Sequence, residues 1–288
     1  MNWMSKHKVL LVFFGIFVVA LLVIYAWVSG RIRPLYTATA TELRLVYRKS
    51  SPVQMRYAAK DNMVQVLIPA GEFSMGTDKQ PYSVNAPLHK VYLDAYWIDQ
   101  TEVTNRSFAL CVKDGACQRP AHYNTYYDQP QYADDPVVFV QWYHADAYCK
   151  WAGERLLTEA EWEKAARGTD GRRYPWGNQA PDNTLLNFNG FYQEPRSSYD
   201  YLIGISPYGV LNMAGNVKEW LNDWYDPNYY SNSPYKDPQG PTSGTLKTLR
   251  GGGFWSNASQ VQTFFRIEHA PTSAGQDRGI RCAQSVIP

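Results

Sequence analysis

The sequence predicts an α+β domain with little regular secondary structure, preceded by one transmembrane helix. Three observations lead there. Residues 9–30 form an uncharged apolar stretch, VLLVFFGIFVVALLVIYAWVSG. Beyond it, segments patterned as strand or helix are short and separated by Gly, Pro and Asn, in a chain of 288 residues with 20 Gly and 18 Pro. Aromatic content is high, with 22 Tyr and 10 Trp, as suits a loop-rich domain. The net charge of +2, with no clustered Lys or Arg, excludes the basic footprint of a nucleic-acid binder.

Four regions follow in order: a tail at 1–8, the transmembrane helix at 9–30, a linker at 31–62 and the globular domain at 63–288. At 1.5 Å per residue, the apolar stretch makes a helix of about 30 Å, the thickness of a bilayer core. A cleaved signal peptide would have a shorter apolar run and a small-residue cleavage site after it. Lys6 and Lys8 precede the helix and Arg31 and Arg33 follow it, so the charge rule for orientation is nearly silent. Thr37–Tyr47 reads as a strand or short helix within a basic linker suited to lipid headgroups.

In the domain, Val64–Pro69 reads as a strand stopped by proline, and Ala70–Gly76 as a turn and strand. Lys90–Ile98 alternates as a further strand. Thr104 caps a helix running to Lys113, and Val138–Val140 reads as a short strand. A second helix spans Gln141–Ala152 with Gly153 as its C-terminal cap. Thr158 and Glu161 form a capping box for a helix over Glu159–Arg167. Strands are expected at Thr248–Gly252, Thr263–Ile267 and Arg278–Ala283.

The four cysteines are Cys111, Cys117, Cys149 and Cys282. Cys111 and Cys117 flank a glycine turn, a spacing that suits a disulfide better than zinc. An even count is compatible with two disulfides and an oxidising compartment, which would place the domain outside the cytoplasm. Four buried free thiols are the alternative.

Tyr208–Trp220 (YGVLNMAGNVKEW) mixes roles at close spacing. Gly209 and Gly215 allow positive φ. Asn212, Asn216 and Glu219 offer hard oxygen ligands, and Leu211, Met213, Val217 and Trp220 anchor the turn in a core. Such a set can hold a structural calcium ion, although a polar turn without metal has the same composition.

Together with Ile68–Gly76 (IPAGEFSMG), Tyr96–Asn105 (YWIDQTEVTN), Cys149–Glu163 (CKWAGERLLTEAEWE), Tyr174–Gly177 (YPWG), Arg250–Gly253 (RGGG) and Gly279–Ala283 (GIRCA), this stretch resembles the formylglycine-generating enzyme (sulfatase-modifying factor) family over roughly residues 63–283. The resemblance implies a C-type-lectin-like fold and structural calcium. One calcium site would use the Asn212 side chain, the Gly215 and Val217 carbonyls and the Glu219 carboxylate. A second would use Asn187, the Phe188 carbonyl, Asp200 and the Leu202 carbonyl. It also implies a Cys149–Cys282 disulfide, which leaves Cys111 with Cys117.

The family's enzymes oxidise a substrate cysteine using two cysteines that bind copper(I), a soft ion that takes thiolates. The matching positions here are Ser256 and Val261, so neither copper nor the family's activity is expected. A related branch holds iron with three histidines, but His7, His89, His122, His144 and His269 show no ligand spacing. No nucleophile elbow, P-loop or dinucleotide fingerprint occurs. Asn105-Arg-Ser and Asn257-Ala-Ser are glycosylation sequons.

The expected function is a membrane-anchored, non-catalytic, calcium-stabilised binding module or accessory subunit of a membrane complex. Its partner would be a protein, a peptide or a glycan. Phe254, Trp255, Ser256, Gln260 and Arg266 are the candidates for lining its groove, since aromatic and Arg side chains dominate binding hot spots. The alternative is an enzyme of altered chemistry in the same groove.

Overall fold

The computed structural model describes residues 53–78, 83–121 and 125–286. The tail, the expected transmembrane helix and most of the linker lie outside the described residues, as do His7 and His122. Among the described residues no helix is long and apolar enough to cross a membrane.

Eleven short strands and three helices form a mixed α/β fold among these residues. The strands are β1 (Met55–Tyr57), β2 (Val64–Ile68), β3 (Gly71–Met75), β4 (His89–Leu93), β5 (Tyr96–Asp99), β6 (Arg155–Leu156), β7 (Lys218–Trp224), β8 (Lys247–Arg250), β9 (Ile267–His269), β10 (Arg278–Gly279) and β11 (Cys282–Ser285). The helices are α1 (Asn105–Lys113), α2 (Trp142–Ala152) and α3 (Glu159–Arg167). An antiparallel sheet runs β1-β2-β5-β11-β6, a second runs β10-β7-β8-β9 with β10 parallel to β7, and β3 pairs with β4 alone. β1 comes from the segment read as linker and pairs Met55 with Val66, which ties that segment to the domain.

Local chemistry sets the helices. The Thr104 hydroxyl accepts from the Ser107 amide at the start of α1. Gly153 ends α2 at φ 83°, in the left-handed region where a Cβ is strained. The Thr158–Glu161 capping box opens α3.

Strand β7 divides two hydrophobic clusters. Trp220 packs with Phe108, Tyr148, Leu249 and Ile280, whereas Leu221 packs with Val66, Phe73, Tyr96 and Trp162. Successive side chains on a strand point to opposite faces, so β7 is buried on both. A third, smaller cluster of Tyr174, Leu185, Leu186, Phe188, Ala214 and Val261 underlies the loop-rich region.

Several expected strands differ. Lys90–Ile98 breaks into β4 and β5 because the Asp94 amide donates to Asp237 Oδ1 instead of to a neighbouring strand. Arg278–Ala283 breaks into β10 and β11 where Ile280 O accepts from the Val103 amide and the Arg281 side chain turns inward. Residues 263–266 are not strand, since Thr263 N donates to Arg173 O and Arg266 N to Asn85 Oδ1. Val138–Val140 is buried irregular chain, with Phe139 at φ 58°. Both disulfides are present, Cys111–Cys117 and Cys149–Cys282.

Candidate functional site

The turn before β7 depends on left-handed backbone at three positions: Asn212 (φ 55°), Gly215 (φ 74°) and Asn216 (φ 60°). A Cβ on Gly215 would lie 2.3 Å from the Asn187 carbonyl oxygen, so glycine is required where the two loops meet. The turn aims two amides at one buried carboxylate. Asn212 Nδ2 donates to Glu102 Oε2 at 3.0 Å and Asn216 Nδ2 to Glu102 Oε1 at 2.9 Å. Asn216 Oδ1 accepts from the Arg196 amide at 2.8 Å.

Glu219 lies at the start of β7, facing Arg281. The guanidinium donates to Glu219 at 2.7 Å, and to the Asp99 and Leu211 carbonyls. Trp162 Nε1 donates to Glu219 Oε2 at 2.6 Å. Burial pushes the Glu102 carboxyl up to about 7; Arg281 pulls it down and Glu219 pushes it up. The cluster holds two carboxyl groups against one guanidinium, and all three residues are buried. That surplus of carboxylate suits a cation nearby, but each Glu219 oxygen already has a donor, so an ion at Asn212, Gly215, Val217 and Glu219 would share them.

The second expected calcium set fits a cation more openly. The Asn187 amide nitrogen donates to the Glu194 carbonyl at 2.9 Å and to Asn216 Oδ1 at 3.3 Å, leaving Asn187 Oδ1 buried with no donor. A buried oxygen without a donor is an atom that a hard cation would satisfy. Asp200 is partly exposed, with Arg196 Nε 3.6 Å away, Phe188 is buried and Leu202 is exposed. One stretch, 187–216, therefore contributes to both sets, and Asn216 links them.

Ser256 and Val261 meet around Gly252. A Cβ there would come within 2.9 Å of Val261 Cγ1 and 3.2 Å of Ser256 Cβ. Ser256 Oγ accepts from the Gly253 amide at 3.0 Å, and Val261 belongs to the third cluster. All four cysteines are held in disulfides, so the convergence carries a hydroxyl and an isopropyl group in place of two thiolates. This donor set does not fit copper(I).

The other groove candidates separate. Phe254 is core, Trp255 is exposed, and Gln260 is half-buried with its Oε1 accepting from the Asn257 amide. Arg266 is buried elsewhere, paired with Glu159 at 2.8 Å and stacked between Tyr225 and Tyr230. The described histidines sit apart: His89 lies against Tyr230, His144 accepts from the Gln141 amide in the cap of α2, and His269 contacts Arg278. Asn105, the first sequon asparagine, is buried, and Asn257 is exposed.

Two buried charge networks were not anticipated. On α3, Glu159 and Glu163 face Arg167, Arg250 and Arg266, a structural lattice whose Glu163–Arg167 pair has i,i+4 spacing legible in the sequence. Under the Cys149–Cys282 disulfide, Asp99, Glu154 and Asp61 crowd together. Burial raises Asp99 and Glu154 well above the carboxylate range; Asp61 adds to both, and Asp99 raises Glu154 further. Asp99, Glu154 and Cys282 lie within metal-ligand spacing, but Cys282 is bridged to Cys149 and is no thiolate.

The sequence profile of the sulfatase-modifying factor enzyme 1-like domain matches residues 51–286. The formylglycine-generating enzyme of Streptomyces coelicolor is 34% identical over 277 residues, covering 76% of this chain and 88% of that protein. Hercynine oxygenase of Mycolicibacterium smegmatis is 31% identical over 263 residues, covering 77% of this chain and 61% of that protein. Among solved structures, PvdO from Pseudomonas aeruginosa superposes with a TM-score of 0.69 at 23% identity, over 82% of this chain and all of that one. This last likeness bears on the fold alone, in agreement with the C-type-lectin-like architecture expected from the sequence.

Proposed function

Because the chain belongs to the sulfatase-modifying factor enzyme 1-like family, which includes formylglycine-generating enzymes and a hercynine oxygenase, we propose that it is a non-catalytic member acting as a binding module or accessory subunit. The observation that carries this reading is the convergence of Ser256 and Val261 on Gly252, where the copper-binding thiolates would have to stand. Neither side chain can hold copper(I) or form a thiolate. The described histidines support the same conclusion for iron, since each is occupied at a separate place in the fold.

The proposed module is tethered to a membrane through residues 9–30, with its folded domain on the extracytoplasmic side, a placement the two disulfides support. Structural calcium completes it. Asn187, Phe188, Asp200 and Leu202 would hold one ion, with the donorless Asn187 oxygen as its strongest support. Asn212, Gly215, Val217 and Glu219 are the second place for an ion. Calcium there would order the loops that meet at Asn187 and Gly215 and do no chemistry. Metal analysis of the purified protein tests this reading. Calcium without a transition metal is the expected result; stoichiometric copper or iron would overturn it in favour of altered chemistry in the same groove.

A further inference from the structure

We propose that the turn Tyr201–Gly204 is a docking tip that inserts into the lipid–water interface of the bilayer holding residues 9–30. The proposal rests on the reading that those residues tether the domain, and it names the surface the domain turns toward the lipid.

Turn tips are ordinarily built from Gly, Pro, Asn, Asp or Ser. Here the Gly204 amide donates to the Tyr201 carbonyl at 2.9 Å, and the two residues between them are Leu202 and Ile203. Ile203 is 63% exposed, more than any other large apolar side chain among the described residues, and Leu202 is exposed beside it. The backbone holds the pair in place. A Cβ on Gly204 would lie 1.9 Å from the Leu185 carbonyl oxygen, so the end of the turn is pressed onto the chain at 185. Tyr201 sits at φ 62°, a left-handed conformation that a bulky residue adopts only at a cost.

The apolar surface continues beyond the turn. The Tyr201 and Tyr192 side chains are hydrogen-bonded to each other. Phe191, 51% exposed, meets the Tyr192 ring edge-on at 4.7 Å, which joins it to the turn. Arg196 lies 4.5 Å over the Tyr192 ring, and its Nε is 3.6 Å from Asp200 Oδ2, so these two charges beside the turn pair with each other. Leu202, Ile203 and Phe191 thus form an apolar tip backed by two tyrosines. That composition suits a membrane interface, where rings with one polar end sit at headgroup level.

The chain that precedes the domain selects lipid as the occupant. Residues 9–30 are an uncharged apolar span of bilayer length. Residues 31–52 follow, with Arg31, Arg33, Arg44, Arg48 and Lys49 against Glu42, and that basic excess is drawn to headgroups. Fully extended, this segment spans at most about 75 Å. A tether of that length keeps the domain at a high local concentration beside the bilayer, so a tip too small to bind lipid alone is enough to orient it.

The test uses the full-length protein reconstituted in phosphatidylcholine vesicles. All four native cysteines are in disulfides, so Ile203→Cys and Tyr235→Cys each add one reactive thiol for an environment-sensitive fluorophore. Tyr235 is the control, 53% exposed but hydrogen-bonded to Glu72. Spin-labelled acyl chains should quench the label at 203 severalfold more than the label at 235, and aqueous iodide should show the reverse order. Both results should persist at high salt, because the turn itself carries no charge. With the label moved to Phe191→Cys, adding Leu202→Ser/Ile203→Ser should abolish the acyl-chain quenching and leave the thermal midpoint in place, since both side chains are exposed. If iodide reaches the labels at 203 and 235 equally and the acyl-chain quencher reaches neither, the proposal is overturned and the tip is left for a protein partner. Alkaline carbonate separates that result from failure of the tether. Protein that stays with the vesicles while its tip is open to iodide refutes the docking alone, whereas protein washed off them refutes the tether and the docking with it.

Discussion

Removing the Cys149–Cys282 disulfide should cost far more than removing Cys111–Cys117. The first joins the end of α2 to β11 across a sequence separation of 133, and the second closes a turn with a separation of 6. A cross-link stabilises mainly by restricting the unfolded chain, more so for longer loops. In that treatment the long loop contributes about 5 kcal/mol at 25 °C and the short one about 2 kcal/mol. Domains are stable by roughly 5–15 kcal/mol in total, so the first loss approaches the whole margin and the second does not. All four cysteines are buried in the first hydrophobic cluster, so the packing loss on truncation to alanine falls on both pairs and the difference between them rests on loop length. The assay is urea unfolding of Cys149→Ala/Cys282→Ala and Cys111→Ala/Cys117→Ala against the wild type, followed by tryptophan fluorescence. The long-loop variant should be partly unfolded before denaturant is added, and the short-loop variant should show a shifted but complete transition. Equal losses, or a larger loss from the short loop, would refute the loop-entropy reasoning.

Other outcomes follow from the buried polar groups. Calcium chelation should lower the thermal midpoint, by an amount equivalent to about 3 kcal/mol if the ion is present at 100 times its dissociation constant. Asn187→Ala or Asp200→Asn should remove that response, and an unchanged response in both would place the ion elsewhere. Asp99 and Glu154 have folded pKa values above their unfolded ones. Their stabilising protons are therefore fully in place below the unfolded carboxylate range and are lost as pH rises toward the folded values. Glu154→Gln should consequently gain on the wild type between pH 5 and pH 8, by at most about 1.4 kcal/mol per pH unit, and parallel stability curves would contradict the assignment. Arg281→Met leaves Glu102 and Glu219 buried without their cation and should cost about 3–5 kcal/mol, read as lost soluble yield or a collapsed melting point.

Features fixed by neighbours in sequence were legible in advance. The Thr104 and Thr158 caps and the Gly153 stop each depend on residues three or four positions away, and all three stand as expected. The strands failed where a distant group intervened. Asp237 breaks Lys90–Ile98 from 143 residues away, and the inward turn of Arg281 toward Glu219, 62 residues away, breaks Arg278–Ala283. Likewise, the spacing of Cys111 and Cys117 suggested their bond, whereas the pairing of Cys149 with Cys282 was visible only through family resemblance. Asn212, Asn216 and Glu219 were recognisable as a polar turn. That Glu102 receives both amides, and that Arg281 already occupies Glu219, depends on tertiary approach. The same holds for Trp255, which stands exposed between buried Phe254 and Ser256 with the Cε3–Cζ3 edge of its ring against Gly190.

The most direct measurement is conversion of a cysteine-containing sulfatase-type peptide by the full-length protein, supplied with copper(I) and oxygen and followed by mass spectrometry. With Ser256 and Val261 at the convergence on Gly252, the cysteine should be recovered unchanged at every time point. Catalytic accumulation of the formylglycine product would contradict the central claim that this member of the family binds and does not oxidise.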